Sequence, residues 1–205
     1  MLIGLDFDNT IVCYDHLFHR VAVERDLIPA TTPATKHAVR ECLRTSGQDG
    51  EWTELQGIVY GPRITDAVLF PGVKEFLAQC REACVQVTII SHKTRYPYRG
   101  ERHDLHAAAH TFLEAHGFFT SDTGLSPESV YLELTLPDKL AKIGLLGCAA
   151  FVDDLPELLA EPAFPAGVRK VLFDAVGAHP TTPEYIRVTS WNECYTMLTD
   201  EEVLA

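Results

Sequence analysis

Short apolar runs and helical segments alternate along most of the chain. The apolar runs predict strands at residues 2–7, 85–90, 130–134, 149–152 and 169–173, with a further candidate at 186–188. Helical segments lie between them at 72–83, 104–116, 139–146 and 191–198. This alternation predicts an α/β fold, a three-layer doubly wound parallel sheet. Ligands of such sheets bind beyond the carboxyl ends of the strands, so functional residues are expected there.

Residues 13–69 interrupt the alternation. Prolines and glycines divide this segment into helical pieces at 14–25, 35–45 and 51–60. Asp15 and Thr35 suit N-cap or first-turn positions of these helices. We therefore predict a small helical cap inserted after the first strand, with a core formed by residues 1–12 and 70–205.

The first apolar run ends in two acids one residue apart, Asp6 and Asp8. Side chains alternate along a strand, so both carboxylates are expected on one face at its carboxyl end. They repel each other unless they share a proton or bind a cation, and Mg²⁺ fits because it prefers oxygen ligands and keeps waters for a phosphate. One acid could then act as nucleophile and the other as proton donor. The alternative is a capped turn, since Asp, Asn9 and Thr10 favour turns.

Three polar residues from distant parts of the chain, Asp6, Ser91 and Asp153, each directly follow an apolar run. The carboxyl ends of parallel strands meet at one edge of a sheet, so these side chains are expected to converge. Convergence favours a site over an isolated turn.

The charge of the chain limits its partners. Seventeen basic and 29 acidic residues give a formal net charge of −12, which should repel nucleic acid and anionic membranes. The six cysteines lack zinc-binding spacing, and Cys80 and Cys84 are interpreted as core residues rather than a redox pair. The first predicted strand begins at residue 2, which leaves no room for a signal peptide, and no apolar run is long enough to span a membrane. We therefore expect a protein of the reducing cytoplasm.

The order of four separate motifs resembles the haloacid dehalogenase (HAD) superfamily of phosphatases and phosphotransferases. The first motif matches residues 6–10, the second the strand that ends at Ser91, and the fourth residues 151–154. The third, a lysine, matches Lys139, with Lys142 as the alternative. Asn9 stands where many members have glycine, and asparagine tolerates a left-handed backbone better than most residues.

The resemblance implies a role for each matched residue. Asp6 would be the nucleophile that forms an aspartyl-phosphate, and Asp8 would protonate the leaving oxygen and then take a proton from water. Ser91 would bind a phosphate oxygen, although a helix cap is the alternative. Lys139 would neutralise the phosphoryl charge, although a solvated lysine is the alternative.

The implied metal set for Mg²⁺ is Asp6, Asp8, Asp153 and Asp154, with the backbone carbonyl of Asp8 as one ligand. Asp154 and Glu157 are expected to lie next to the metal ligands and to orient them without binding the metal directly. The alternative for Asp153, Asp154 and Glu157 is that they are acids at the start of a helix, where the helix dipole favours negative charge.

The segment 92–99 is basic and aromatic in an acidic chain. We interpret it as reaching the substrate, in particular a second anionic group, or as packing the cap; an ordinary solvated loop remains open. The predicted substrate-binding residues are Asn9, Thr10, His92, Lys93 and Arg95. His103, His106 and His110 have helical spacing, and His106 with His110 could bind a transition metal, but inert histidines are the favoured interpretation.

Together these observations predict a Mg²⁺-dependent hydrolase of a small phosphorylated metabolite, working through an aspartyl-phosphate. The acid at position 8 favours phosphoester chemistry over dehalogenation, by the resemblance. The alternatives are a phosphotransferase or mutase with the same intermediate, and a non-catalytic phosphate-binding regulatory domain.

Overall fold

The computed structural model describes residues 1–199. The strands are β1 (Leu2–Leu5), β2 (Val12–Cys13), β3 (Val68–Leu69), β4 (Gln86–His92), β5 (Val130–Glu133), β6 (Ala150–Asp153), β7 (Arg169–Phe173) and β8 (Ile186–Val188). The helices are α1 (Asp15–Glu24), α2 (Lys36–Thr45), α3 (Asp49–Tyr60), α4 (Val73–Glu82), α5 (Leu105–Ala115), α6 (Leu136–Leu145), α7 (Pro156–Leu159) and α8 (Trp191–Thr199). Short 3-10 turns occupy Ile64–Asp66 and Pro127–Ser129.

The chain divides into two compact units. The first, the sheet unit, contains Met1–Ile11, Leu69–His92 and, among the described residues, 117–199. The second, the helical unit, contains Val12–Val68 and Lys93–His116. The strands β2 and β3 form a two-stranded sheet of their own.

The sheet unit is built on six parallel strands in the order β5-β4-β1-β6-β7-β8. The helices α4, α6, α7 and α8 pack against these strands. Ile3, Leu5, Phe151 and Val152 are fully buried, as expected for central parallel strands that helices cover. The strand order reverses between β1 and β6, which makes this the topological switch point of the sheet. The predicted α/β doubly wound architecture is confirmed.

Most of the predicted elements form, with shifted ends. The candidate strand at 186–188 is the edge strand β8. Helix α6 begins at Leu136 rather than at 139, because Thr135 is its N-cap and accepts a hydrogen bond from the N–H of Asp138. Pro137 in the first turn is compatible with this early start.

The helical unit has an aromatic core. The ring of Phe18 stacks on Trp52 with centroids 4.9 Å apart, and Leu43 and Leu55 are fully buried. The predicted cap at Thr35 is confirmed, since its hydroxyl accepts a hydrogen bond from the N–H of Ala38. No helix within residues 1–199 is long and apolar enough to cross a membrane.

The helical unit also contains residues 93–116, which the sequence interpretation assigns to the core. A close approach to α3 joins this segment to the unit. A Cβ added at Gly57 would lie 2.8 Å from Cβ of Pro97, so only glycine allows this contact. Helix α5 packs on α3 and on the 3-10 turn Ile64–Asp66. The amphipathic pattern of α5 shows that one face of the helix is buried, but it does not show which part of the protein covers that face. The sequence therefore could not assign α5 to one of the two units.

Candidate active site

A buried lysine between two buried carboxylates forms the centre of the candidate site. The Nζ of Lys139 donates hydrogen bonds to Oδ1 of Asp6 and Oδ2 of Asp153, each at 2.6 Å. The exposed fraction is 2% for Lys139, 5% for Asp6 and 0% for Asp153. Charged residues are rarely buried unless they are paired, and here one positive charge faces two negative ones. The ionised triad therefore carries a net negative charge.

The topology of the sheet brings these three residues together. Asp6 directly follows β1, and its N–H donates to the carbonyl of Val152 at 2.8 Å. Asp153 is the last residue of β6. Lys139 lies near the start of α6, where its N–H donates to the carbonyl of Thr135. The triad thus lies at the switch point of the sheet, the usual ligand position in such folds.

The charges and the burial of the triad shift the pKa values of its residues. Burial raises the pKa of Asp6 to about 7, Asp153 and Asp8 act in the same direction, and Lys139 opposes them. Burial by itself lowers the pKa of Lys139, but the charges of Asp6 and Asp153 outweigh it and hold that pKa above its usual value. Lys139 is therefore charged at neutral pH, while Asp6 is sensitive to any added cation.

The residues after β1 form a tight turn. The strand ends at Leu5 rather than at Phe7, so Asp6 and Asp8 both lie just beyond its end. Their carboxylates are still close enough for Asp8 to affect the pKa of Asp6. Asn9 has φ of +59°, which confirms the predicted left-handed backbone. Thr10 is fully buried, and its Oγ1 lacks a hydrogen-bond partner among residues 1–199.

Ser91 lies at the same edge of the sheet. It is buried inside β4, next to the terminal residue His92, which is exposed. The last paired residues of β1 and β4 are Leu5 and Ile89, so Ser91 extends beyond them toward the carboxyl edge. Its alternative role as a helix cap is excluded, because the next helix, α5, is capped by Asp104.

The two candidate motif lysines have different partners. Lys139 contacts the carboxylates of the triad, whereas Lys142, nearly one turn further along α6, pairs with Glu133 at 3.3 Å. The side chain of Lys142 is 26% exposed. Of these two lysines, only Lys139 contacts the buried carboxylates.

Two of the predicted substrate-binding residues belong to the helical unit. The Nζ of Lys93 lies 4.7 Å from the centre of the Tyr60 ring. The guanidinium of Arg95 instead pairs with Asp104 at 3.0 Å. Lys36, which the sequence reasoning missed, lies over the same tyrosine ring at 5.7 Å. Its position after a helix cap gives no signal of this contact.

The donor set fits Mg²⁺ in one arrangement. No group of three or more His, Cys, Asp or Glu side chains in the described part of the chain could hold a metal ion. The predicted set of Asp6, Asp8, Asp153 and Asp154 is therefore not a cage of side chains. Mg²⁺ commonly binds through one or two carboxylates and keeps several waters. Asp6 and Asp153 supply two such carboxylates beside Lys139, and the net negative charge of the ionised triad favours a cation.

The three candidate histidines lie in α5 or just before it, and two of them contact other groups. The Nε2 of His106 forms a hydrogen bond with the carbonyl of Lys93 at 2.7 Å, and His103 lies 3.5 Å from the carboxylate of Glu101. With His110 they form no metal-binding group in the region that the structure describes. Near the triad, Asp154 is half-buried and Glu157 is exposed in the first turn of α7.

Solved structures share this fold. A HAD-family hydrolase from Deinococcus radiodurans R1, with bound phosphate and sodium, has a TM-score of 0.60 and 17% identity over 98% of this chain and 96% of its own. A dehalogenase has a TM-score of 0.58 and 16% identity over 97% of both chains. A family IA HAD hydrolase from Entamoeba histolytica HM-1:IMSS has a TM-score of 0.57 and 14% identity over 99% of this chain and 97% of its own.

Searches by sequence are negative, since no protein-family model and no curated protein matches the chain. At such low identities the solved structures establish the fold and leave the reaction open. With the sheet order, the switch point and these neighbours taken together, the chain has the fold of the HAD-superfamily hydrolases.

Proposed function

We propose that this protein is a Mg²⁺-dependent HAD-type hydrolase that releases phosphate from a small phosphomonoester through an aspartyl-phosphate on Asp6. The observation that carries the proposal is the buried contact of Lys139 with both Asp6 and Asp153. A buried charged triad at the switch point is costly to retain for stability alone, because an apolar replacement is often at least as stable.

The chemistry follows from the positions of these groups. Lys139 holds Oδ1 of Asp6, so Oδ2 is the oxygen that attacks phosphorus. The new O–P bond forms as the bond to the leaving oxygen breaks, and Asp8 donates its proton to that oxygen. Asp8 then takes a proton from water, which attacks phosphorus, releases phosphate and restores the Asp6 carboxylate. Lys139 stabilises the negative charge on the transferred group.

Bound Mg²⁺ would screen the repulsion between the Asp6 carboxylate and the phosphate. Asp6, Asp153 and the backbone carbonyl of Asp8 would hold it. Ser91, buried at the same edge, is proposed to donate a hydrogen bond to a phosphate oxygen.

Two related reactions are possible on this scaffold. A phosphotransferase or mutase would use the same aspartyl-phosphate with a hydroxyl acceptor. A dehalogenase would need no acid at position 8, and the presence of Asp8 beside Asp6 therefore favours the phosphoester reaction. A regulatory domain without catalysis has no need for the complete triad.

The proposed substrate is a small phosphorylated metabolite rather than a nucleic acid or a membrane surface, in keeping with the net charge of −12. The six cysteines are all free, which supports the proposed reducing cytoplasm.

A phosphate-release screen over small phosphomonoesters with Mg²⁺ tests the proposal. Wild-type protein should turn over at least one substrate class, chelation should abolish the activity, and Mg²⁺ should restore it. Asp6→Asn should lose turnover and stay folded, while the matched surface variant Asp122→Asn should retain it. Equal phosphate release by Asp6→Asn and the wild type would refute Asp6 as the nucleophile.

Further arms separate the alternatives. Chloride release from 2-chloro acids reports a dehalogenase, and phosphoryl transfer to added sugars in competition with water reports a transferase. No activity in any arm would favour the regulatory domain.

A further inference from the structure

A cleft of about 580 Å³ opens at the amino-terminal edge of the main sheet, and all the residues that line it belong to the sheet unit. Leu2 lines it at the start of β1, so the cleft lies about 13 Å along the strand from Asp6. Its volume is in the range of pockets that bind small ligands. The cleft is therefore a candidate ligand site separate from the triad.

One edge of β4 is unpaired inside this cleft. The strand pairs with β1 from Gln86 onward but with β5 only from Ile89. The N–H of Gln86 donates to the carbonyl of Met1, so the N–H and the carbonyl of the next residue, Val87, point toward the β5 side. Within residues 1–199 neither of these two groups has a hydrogen-bond partner on that side. Val87 therefore presents a backbone donor and a backbone acceptor to the cleft.

One positive and one negative side chain line the same cleft. Arg81, in the last turn of α4, donates through Nε to the carbonyl of Ser121, which fixes the position of its guanidinium. A hydrogen bond from the side chain of Ser126 lowers the pKa of Glu128, which is therefore ionised at neutral pH. In the part of the chain that the structure describes, neither Arg81 nor Glu128 forms an ion pair.

Apolar side chains form a further wall of the cleft. Leu2, Tyr131 and Leu146 are partly buried against the core cluster that contains Leu140 and Ile143 of α6. Part of their remaining surface lines the cleft. An unpaired strand edge supplies backbone hydrogen bonds to an extended peptide, and apolar and charged groups beside it supply selectivity. The cleft combines all of these groups.

We propose that this cleft binds a short peptide with free ends, in an extended conformation beside Val87. One peptide residue would exchange two hydrogen bonds with Val87, as in an antiparallel pair. The carboxylate of the peptide would bind Arg81, and its ammonium group would bind Glu128. Because such a ligand carries both charges, the net charge of −12 does not oppose its binding. The proposal does not depend on the reaction at Asp6.

Calorimetry with the tripeptide Ala-Leu-Ala is the first test. Acetylation of its amino end or amidation of its carboxyl end should each weaken the Kd about tenfold, since each removes one charged contact. A depsipeptide in which an ester replaces the amide N–H of the leucine should lose a similar factor, because it has no donor for the carbonyl of Val87. Equal Kd values for all four ligands, or no binding at millimolar concentration, would overturn the proposal.

Variants of the two charged residues assign the contacts. Arg81→Gln should weaken the Kd for the free tripeptide about tenfold and should bind the free and amidated forms equally. Glu128→Gln should bind the free and acetylated forms equally for the same reason. The matched control Arg40→Gln removes an exposed arginine of α2 and should behave like the wild type. If both cleft variants discriminate among the peptides as the wild type does, the assigned contacts are wrong.

Amide hydrogen exchange, followed by NMR, tests the strand pairing itself. Saturating tripeptide should slow the exchange of the Val87 N–H about tenfold or more, while that of Ala38 in the helical unit should not change. Asp6→Asn should give the same result, which separates this proposal from the proposed reaction. An unchanged rate at Val87 with the peptide bound would refute the pairing.

Discussion

Removal of the buried ammonium group of Lys139 should destabilise the protein strongly. Lys139→Met keeps a similar side-chain length and leaves Asp6 and Asp153, both within 2.6 Å of the lost nitrogen, without their cation. Breaking a buried ion pair by removal of one partner costs about 3–5 kcal/mol. Since whole domains are stable by only about 5–15 kcal/mol, the loss should be easily measurable.

The loss of stability in Lys139→Met should also depend on pH. With the cation gone, the pKa of Asp6 should rise above its present value of about 7, far above the unfolded value near 4. The folded variant then binds more protons than the unfolded chain between these two values, so its stability falls as pH rises through this window. The difference from wild type should therefore be larger at pH 8 than at pH 6.

Chemical denaturation at both pH values, with a chelator present, measures these quantities. Lys142→Met is the matched control, and since its partner Glu133 is partly exposed, it should lose less than about 1 kcal/mol. The double variant Lys139→Met/Asp6→Asn should recover part of the stability, because a single buried carboxylate remains charged. A Lys139→Met protein as stable as the wild type at pH 8, or a loss equal at both pH values, would refute the reasoning.

Three smaller changes test local features of the fold by chemical denaturation. Asn9→Ala should cost about 1–2 kcal/mol because φ at this position is +59°. Gly57→Ala should cost about 1–3 kcal/mol because the new Cβ would lie 2.8 Å from Pro97. Asp104→Ala should cost about 1 kcal/mol at pH 7, since it removes the N-cap of α5. The pKa of Asp104 is lowered by hydrogen bonds from the backbone of α5, so this contribution is present above the unfolded pKa and disappears as pH falls through the folded one.

Each of these changes has a control on the same chain. Asn9→Gly should be tolerated, and a cost equal to that of Asn9→Ala would contradict the left-handed assignment. Gly144→Ala in α6 meets its nearest atom, of Pro165, at 3.4 Å, so it should be neutral or stabilising. Asp104→Asn should retain most of the cap without the pH dependence. A cap effect of Asp104→Ala that persists at pH 2 would show that the carboxylate charge is not involved.

Local patterns predicted the elements because each depends on neighbours in sequence. The apolar runs became the six strands of the main sheet, and the hydroxyl of Thr35 caps α2 as its position indicated. The left-handed turn at Asn9 follows from the same kind of local preference. The end of β1 at Leu5 could not be predicted, since the apolar pattern continues through Phe7.

Choices between equivalent residues could not be made from the sequence. Lys139 and Lys142 lie on one helix with similar neighbours, and only the packing of α6 on β4 and β5 brings Lys139, rather than Lys142, to Asp6. The membership of α5 in the helical unit depends on Gly57, whose missing side chain admits Pro97. The contact of Lys36 with Tyr60 joins residues 24 positions apart, and no local signal marks it.

The sequence by itself determined the α/β class, the helical insertion after the first strand and the edge of the sheet where the acids and Ser91 gather. These features follow from side-chain periodicity and from the direction of parallel strands, which are local properties of the chain. The tertiary structure alone decided which lysine is buried between the carboxylates, how far the pKa of Asp6 rises and which cations meet at Tyr60. These depend on distance and desolvation, which arise only when residues remote in sequence pack together.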